Sequence, residues 1–141
     1  MPVLQAQRDP QIDFVILADA AQCVNGKLYM LGAGWSEMRS PTFPTIGNVG
    51  IALRILFDPS TSVEEYDVKI AILGEDNTDI IPPIKAKIVR KGTSQTVGRP
   101  DGINFAANIG LQLQQPGPYR FRVSCGEASK EIEFEAVMAA H

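Results

Sequence analysis

The sequence predicts an all-β chain: a two-layer antiparallel β-sandwich of immunoglobulin-like type with about seven to nine strands. Three observations carry this expectation. Apolar residues alternate with polar ones in run after run, and no segment sustains a helical period. Turn-forming residues separate these runs at short intervals, with Asn25-Gly26 the strongest short hairpin signal because both residues tolerate positive φ. Finally, Gln115-Pro116-Gly117-Pro118 leads straight into Tyr119-Arg120-Phe121-Arg122-Val123, a turn feeding an alternating strand. Such a corner is typical of immunoglobulin-like sandwiches.

The 141 residues are enough for one domain with its own core, and 45% hydrophobic content excludes a disordered chain. We expect an N-terminal arm at 1–11, a sandwich at 12–137 and a C-terminal tail at 138–141. The arm carries Pro2 and Pro10 and lacks the basic and apolar regions of a signal peptide. No Asn-X-Ser/Thr sequon is present, and the apolar run from Phe14 to Ala18 is too short to span a bilayer. Synthesis in a cytoplasm is therefore expected.

Ile12 to Val24 is apolar apart from Asp13, Asp19 and Gln22, and reads as the first strand. After Asn25-Gly26, Lys27 to Met38 returns antiparallel, interrupted by Gly32 and Gly34, which suggest a bulge or sharp coil. Arg39 to Asn48 reads as a loop with Pro41, Pro44 and Gly47. Val49 to Phe57 follows as a strand buried on both sides, since Ala52 and Leu56 back Ile51, Leu53, Ile55 and Phe57. Asp58-Pro59-Ser60-Thr61 is a turn. Tyr66 to Leu73 alternates again, and Gly74 to Asp79 forms a polar tip.

Pro82-Pro83 opens Ile84 to Val89 and pushes that strand toward a sheet edge, because proline cannot donate to a ladder. Residues 91–102 make the longest polar loop. Ile103 to Gln114 alternates Phe105, Ala107, Ile109, Leu111 and Leu113 with polar or small residues. In the last hairpin, Tyr119, Phe121, Val123 and Cys125 share a face, as do Ile132, Phe134 and Ala136; Arg120 and Arg122 are placed to pair with Glu131, Glu133 and Glu135.

The chemistry is sparse. His141 is the only histidine and the last residue, a poor base for a catalytic triad. No His or Cys pair has metal-ligand spacing, so neither a metal nor a cofactor is expected. Gly32-Ala33-Gly34 is a fragment of a dinucleotide fingerprint with Glu37 where the third glycine belongs. Glu75, Asp76, Asn77 and Asp79 lack the Asp-X-Asp-X-Asp-Gly pattern of a calcium loop and fit a hairpin tip. The net charge of −3 favours neither nucleic acid nor an anionic membrane. The basic run of Lys85, Lys87, Arg90, Lys91 and Arg99 reads as a solvated face. Cys23 and Cys125 flank Trp35 in the order of an immunoglobulin disulfide, but Tyr119 precedes Cys125 by six residues rather than two. Two buried thiols are the favoured alternative to a bridge.

Asp19 is the one local inconsistency. It follows Phe14-Val15-Ile16-Leu17-Ala18, so partial burial is expected, and a buried carboxylate needs partners. A two-residue turn at Asn25-Gly26 sets Asp19 opposite Gly32. Backbone N–H groups there, or Arg99, are its candidate partners. A structural clip is favoured over an active-site acid. Trp35 reads as core before it reads as a ligand platform.

The run Ile16-Leu17-Ala18-Asp19-Ala20-Ala21-Gln22-Cys23-Val24-Asn25-Gly26-Lys27-Leu28-Tyr29-Met30-Leu31-Gly32-Ala33-Gly34-Trp35 resembles the opening motif of a family of small actinobacterial and phage-associated domains of unknown function. The likeness returns at Gly98-Arg99-Pro100-Asp101-Gly102 and at Pro116-Gly117-Pro118-Tyr119-Arg120-Phe121. It implies a sandwich and supplies no activity, cofactor or site residue.

Three functions compete. The first is a non-enzymatic interaction or structural module, such as a decoration, head or tail accessory protein of a phage particle, with a protein partner or further copies of itself bound through strand edges, loops and chain ends. The second is a small-ligand-binding domain with Asp19, Trp35, Arg99 and loops 39–48 and 91–102 around a cleft. A carboxylate-only enzyme ranks last.

Overall fold

The computed structural model describes residues 10–58, 65–89 and 101–139. These residues contain ten strands and no helix: β1 (Gln11–Ala18), β2 (Ala20–Val24), β3 (Lys27–Leu31), β4 (Glu37–Ser40), β5 (Thr45–Phe57), β6 (Glu65–Leu73), β7 (Ile84–Val89), β8 (Asp101–Leu113), β9 (Gly117–Cys125) and β10 (Ala128–Met138). A three-stranded sheet, β1-β5-β8, faces a five-stranded sheet, β4-β10-β9-β6-β7, and β2-β3 forms a separate hairpin. The fold is the expected β-sandwich. The expectations for residues 1–9 of the arm, for the turn beyond Asp58 and for most of loop 91–102 lie outside the described residues, while Gln11, expected in the arm, already belongs to β1.

The core follows from the period of two. Val49, Ile51, Leu53, Ile55 and Phe57 of β5 are each at most 1% exposed and meet Val68, Ile70, Ile72, Phe121, Val123 and Phe134 of the opposite sheet. Phe57 stacks on Tyr66, and Tyr119 on Phe134, with ring centroids 4.6 and 5.5 Å apart. Tyr119 also donates its hydroxyl to the Gln115 carbonyl at 2.7 Å, four residues upstream. This is the tyrosine-corner contact of immunoglobulin-like sandwiches, in the expected place. In the register of β9 and β10, Arg122 faces Glu131 and Arg120 faces Glu133. Arg122 and Arg120 both reach Glu131, at 2.6 and 3.5 Å, as cross-strand pairing requires. As its paired prolines predict, β7 is an edge strand, bonded to β6 alone.

Four features depart from the sequence expectation. The strand count is ten because the first apolar run is two strands, broken at Asp19. β1 leaves the hairpin and pairs with β5 instead, from Gln11↔Leu56 to Ala18↔Gly50. Residues 37–40, read as the end of a strand and the start of a loop, form β4, which pairs in parallel with β10 from Glu37↔Glu135 to Ser40↔Met138. The ladder continues as Ala139 donates to the Ser40 carbonyl at 2.8 Å, so the C-terminal strand runs past the expected tail boundary at 138. Finally, both cysteines are free thiols, as favoured, but only Cys125 is buried; Cys23 is exposed, on the hairpin, with its thiol 3.5 Å from the Asn104 carbonyl.

The hairpin is positioned by steric allowance. β1 pairs with β5 as far as Gly50; beyond that the chain climbs onto the outer face of β5. A Cβ on Gly50 would lie 2.7 Å from the Ala20 carbonyl carbon and the Ala21 nitrogen, so only glycine permits the crossing. Ala52 and Ala106, opposed in register, extend the small-residue floor. β8 then grips the hairpin from that face. Asn108 accepts from Ala21 N at 2.9 Å and donates to Ala21 O at 2.8 Å, and Asn104 donates to the Gly26 carbonyl at 2.8 Å.

Candidate functional site

The break between β1 and β2 builds a cleft. The Asp19 amide is shared between the Leu31 and Gly32 carbonyls, at 2.9 and 3.1 Å, and Gly34 N donates to the Leu17 carbonyl at 3.0 Å. These bonds wind residues 32–36 across the end of β1. Gly32 takes φ +62° and Gly34 φ +92°, both left-handed, which is why the return strand stops at Leu31. A Cβ on Gly32 would sit 2.3 Å from the Asp19 carboxylate, so the missing side chain is the space the carboxylate occupies.

The loop delivers Trp35 to the same place. Its ring packs edge-on against Phe134, centroids 5.8 Å apart, and is half-buried against the core. Its Nε1 is buried without a hydrogen-bond partner among the described residues, a deficit of about 1–3 kcal/mol. Asp19, Trp35, Glu37, Met38, Ile46 and Asn48 are among the residues that line a cavity of about 440 Å³. That volume is in the range of small-ligand pockets, about 300–1,000 Å³. A Cβ on Gly47 would lie 2.6 Å from the Met38 sulfur, so glycine there lets the thioether lie across β5.

The charges in the cleft are unevenly matched. Arg39 Nε lies 2.8 Å from Glu37 Oε1, with the side chains 66% and 44% exposed, and such a pair contributes about 0–1 kcal/mol. Ser40 Oγ is 2.8 Å from the Thr42 carbonyl and 3.0 Å from Thr45 Oγ1, so this hydroxyl group is engaged. The Asp19 carboxylate makes no hydrogen bond or ion pair among the described residues.

The expected position of Asp19 opposite Gly32 is therefore correct and its expected burial is not. Asp19 is exposed, because the strand ends there and the carboxylate turns off the core. The clip is made by the Asp19 backbone N–H, not by its side chain. Trp35 belongs to the core edge and to the cleft at once. The structure brings Asp19, Trp35 and the 39–48 segment together; Arg99 lies outside the described residues. Sequence reasoning missed Glu37, which it read as part of the return strand, and included Ile46 only as an undistinguished member of the loop 39–48.

A second surface feature lies beside the cleft. The outer face of the hairpin pairs Ala20 with Leu31, Gln22 with Tyr29 and Val24 with Lys27. Leu31 is 72% exposed, Tyr29 54% and Val24 39%. The signal was present in the sequence: Leu28 to Leu31 are apolar at every position, so one face of that strand had to be left without a core.

The residues from 13 to 136 match the model of a family of unknown function, DUF6941. The chain belongs to that family. Membership therefore takes in the sandwich, the hairpin and every residue of the cleft. No match is found among curated proteins. Among solved structures, the β-glucosidase of Listeria innocua in complex with glucose resembles 72% of this chain over 14% of its own, at 13% identity and a TM-score of 0.43. A second structure of the same enzyme gives 14% identity, the same coverages and a TM-score of 0.42. This chain thus spans about a seventh of those enzymes, and similarity this low bears on no question of activity.

Proposed function

We propose that this domain is a non-enzymatic interaction module whose contact surface is the outer face of the β2-β3 hairpin, and that it serves as an accessory (decoration, head or tail) protein of a phage particle. One observation carries the contact surface: Val24, Tyr29 and Leu31 are exposed side by side on a hairpin that is clamped to the sandwich by Asn104 and Asn108. Single exposed apolar residues are ordinary; a contiguous strip on a rigid element is typical of protein contacts. The assignment to a phage particle is supported only by the resemblance of the Ile16–Trp35 motif to phage-associated domains.

The test is affinity recovery of the tagged protein from its native source, read by mass spectrometry, beside Leu31→Glu and Tyr29→Glu variants. Capsid or tail subunits recovered in stoichiometric amount with the parent chain, and lost with both variants, support the proposal. Recovery of the bare chain, monomeric by light scattering, overturns it.

A second reading has its own observation. The cavity that joins Asp19 to Trp35 favours a small-ligand-binding domain, and a ligand there would change the emission of the single tryptophan.

A further inference from the structure

We infer that the Asp19–Trp35 cleft binds a cationic head group, a guanidinium or alkylammonium ion; the inference rests on the second reading above, that the cleft holds a ligand. The argument begins with the charge inventory. Among the described residues, three acidic or basic side chains line the cavity: Asp19, Glu37 and Arg39. Glu37 and Arg39 neutralise each other at 2.8 Å. Asp19 has no counter-charge among the described residues.

The hydrogen-bonding inventory has the same sign. The Ser40 hydroxyl is taken by Thr42 and Thr45. The indole Nε1 is sealed from solvent and offers nothing to an incoming group. Asn48 adds a neutral amide that both donates and accepts, so Asp19 is left as the unpaired, charged, acceptor-only group of the site, and such a carboxylate selects a donor, most strongly a charged one.

Two more features suit a cation on an apolar stem. An indole beside a carboxylate is the pairing that attracts guanidinium and ammonium ions, through the ring quadrupole and the charge together. Met38 and Ile46 give the stem a surface to lie on. The carboxylate is also held ready. The Asp19 backbone is bonded to Leu31 and Gly32, and its side chain fills the space where any other residue 32 would carry a Cβ. Little ordering is left for the ligand to impose, which favours binding by a small group.

The probes are Nα-acetyl-argininamide and its uncharged isostere Nα-acetyl-citrullinamide, titrated into the full chain while Trp35 emission and the indole and Gly32 amide resonances are followed. The expected result is saturable binding of the arginine compound, at least about fivefold tighter than the citrulline compound and weakened by salt. Asp19→Asn should bring the two compounds to the same affinity. Should that variant fail to fold, the comparison on the parent chain decides. Equal binding of the two compounds would overturn the cation while leaving a ligand cleft; no binding of either would overturn both. Comparing n-butylguanidinium with a blocked Gly-Gly-Arg-Gly-Gly peptide then identifies the source. Tighter binding of the peptide assigns the head group to a protein segment, and equal binding to a free small cation.

Discussion

The side-chain amide of Asn108 brackets the backbone of Ala21, accepting from its N–H at 2.9 Å and donating to its carbonyl at 2.8 Å. An asparagine amide placed this way imitates a neighbouring strand. It satisfies both main-chain groups of a buried residue 87 positions away in sequence and fixes the hairpin to the sheet.

Asn108→Ala should therefore lower stability by about 2 kcal/mol, because it strands a buried N–H and a buried C=O. Urea unfolding measures the loss. Hydrogen exchange should show it concentrated at Ala21, with the β9-β10 hairpin far less affected. Asn108→Asp keeps the acceptor and should recover part of the Ala21 N–H protection.

Gly32 and Asp19 are coupled through space. Gly32→Ala meets a left-handed φ and a Cβ 2.3 Å from the Asp19 carboxylate. The backbone conformation alone is worth about 1–2 kcal/mol against alanine, and the contact adds to it. In a double-mutant cycle with Asp19→Ala, the contact is removed and the backbone part stays. The double variant should be less destabilised than the sum of the two single variants; strict additivity would mean the carboxylate simply swings away.

Tyr119→Phe removes the hydroxyl bond to Gln115 while keeping the stack on Phe134. A loss of about 1 kcal/mol is expected, carried by the corner bond alone. Near-ultraviolet circular dichroism should keep its aromatic signature, and the unfolding midpoint should fall.

Two surface groups give a pH dependence of opposite sign. The Asp76 carboxylate is held below its ordinary range, first by the Thr78 hydroxyl at 2.6 Å and then by the Thr78 N–H. Its contribution is present at neutral pH and lost as pH falls below about 4. The Thr78 amide should then exchange faster, and Asp76→Asn should flatten that profile. The Lys87 ammonium is raised, by its hydrogen bond and charge interaction with Asp67 and then by Glu65. Its contribution is complete below about pH 10 and lost above its folded value, so Lys87→Met should remove the alkaline change in the β6-β7 pair.

What the sequence determined by itself was whatever acts over a few residues. The alternation in 66–73, 103–114 and 119–136 gave the inward faces of β6, β8, β9 and β10, because a strand's two faces are set by its own period. Asn25-Gly26 gave the hairpin, the position of Asp19 opposite Gly32, and with it one wall of the cleft. Tertiary structure decided which strand each would pair with. Nothing local in Ile12–Val24 tells that β1 joins β5, or that β2 crosses over Gly50; that depends on a glycine, Gly50, more than thirty residues downstream of β1 in the chain. The exposure of Asp19 and Cys23, the parallel pairing of β4 with β10 and the cavity beside Trp35 all follow from that crossing or from contacts of similar range. Such features are set by excluded volume between distant segments, which a one-dimensional pattern does not encode.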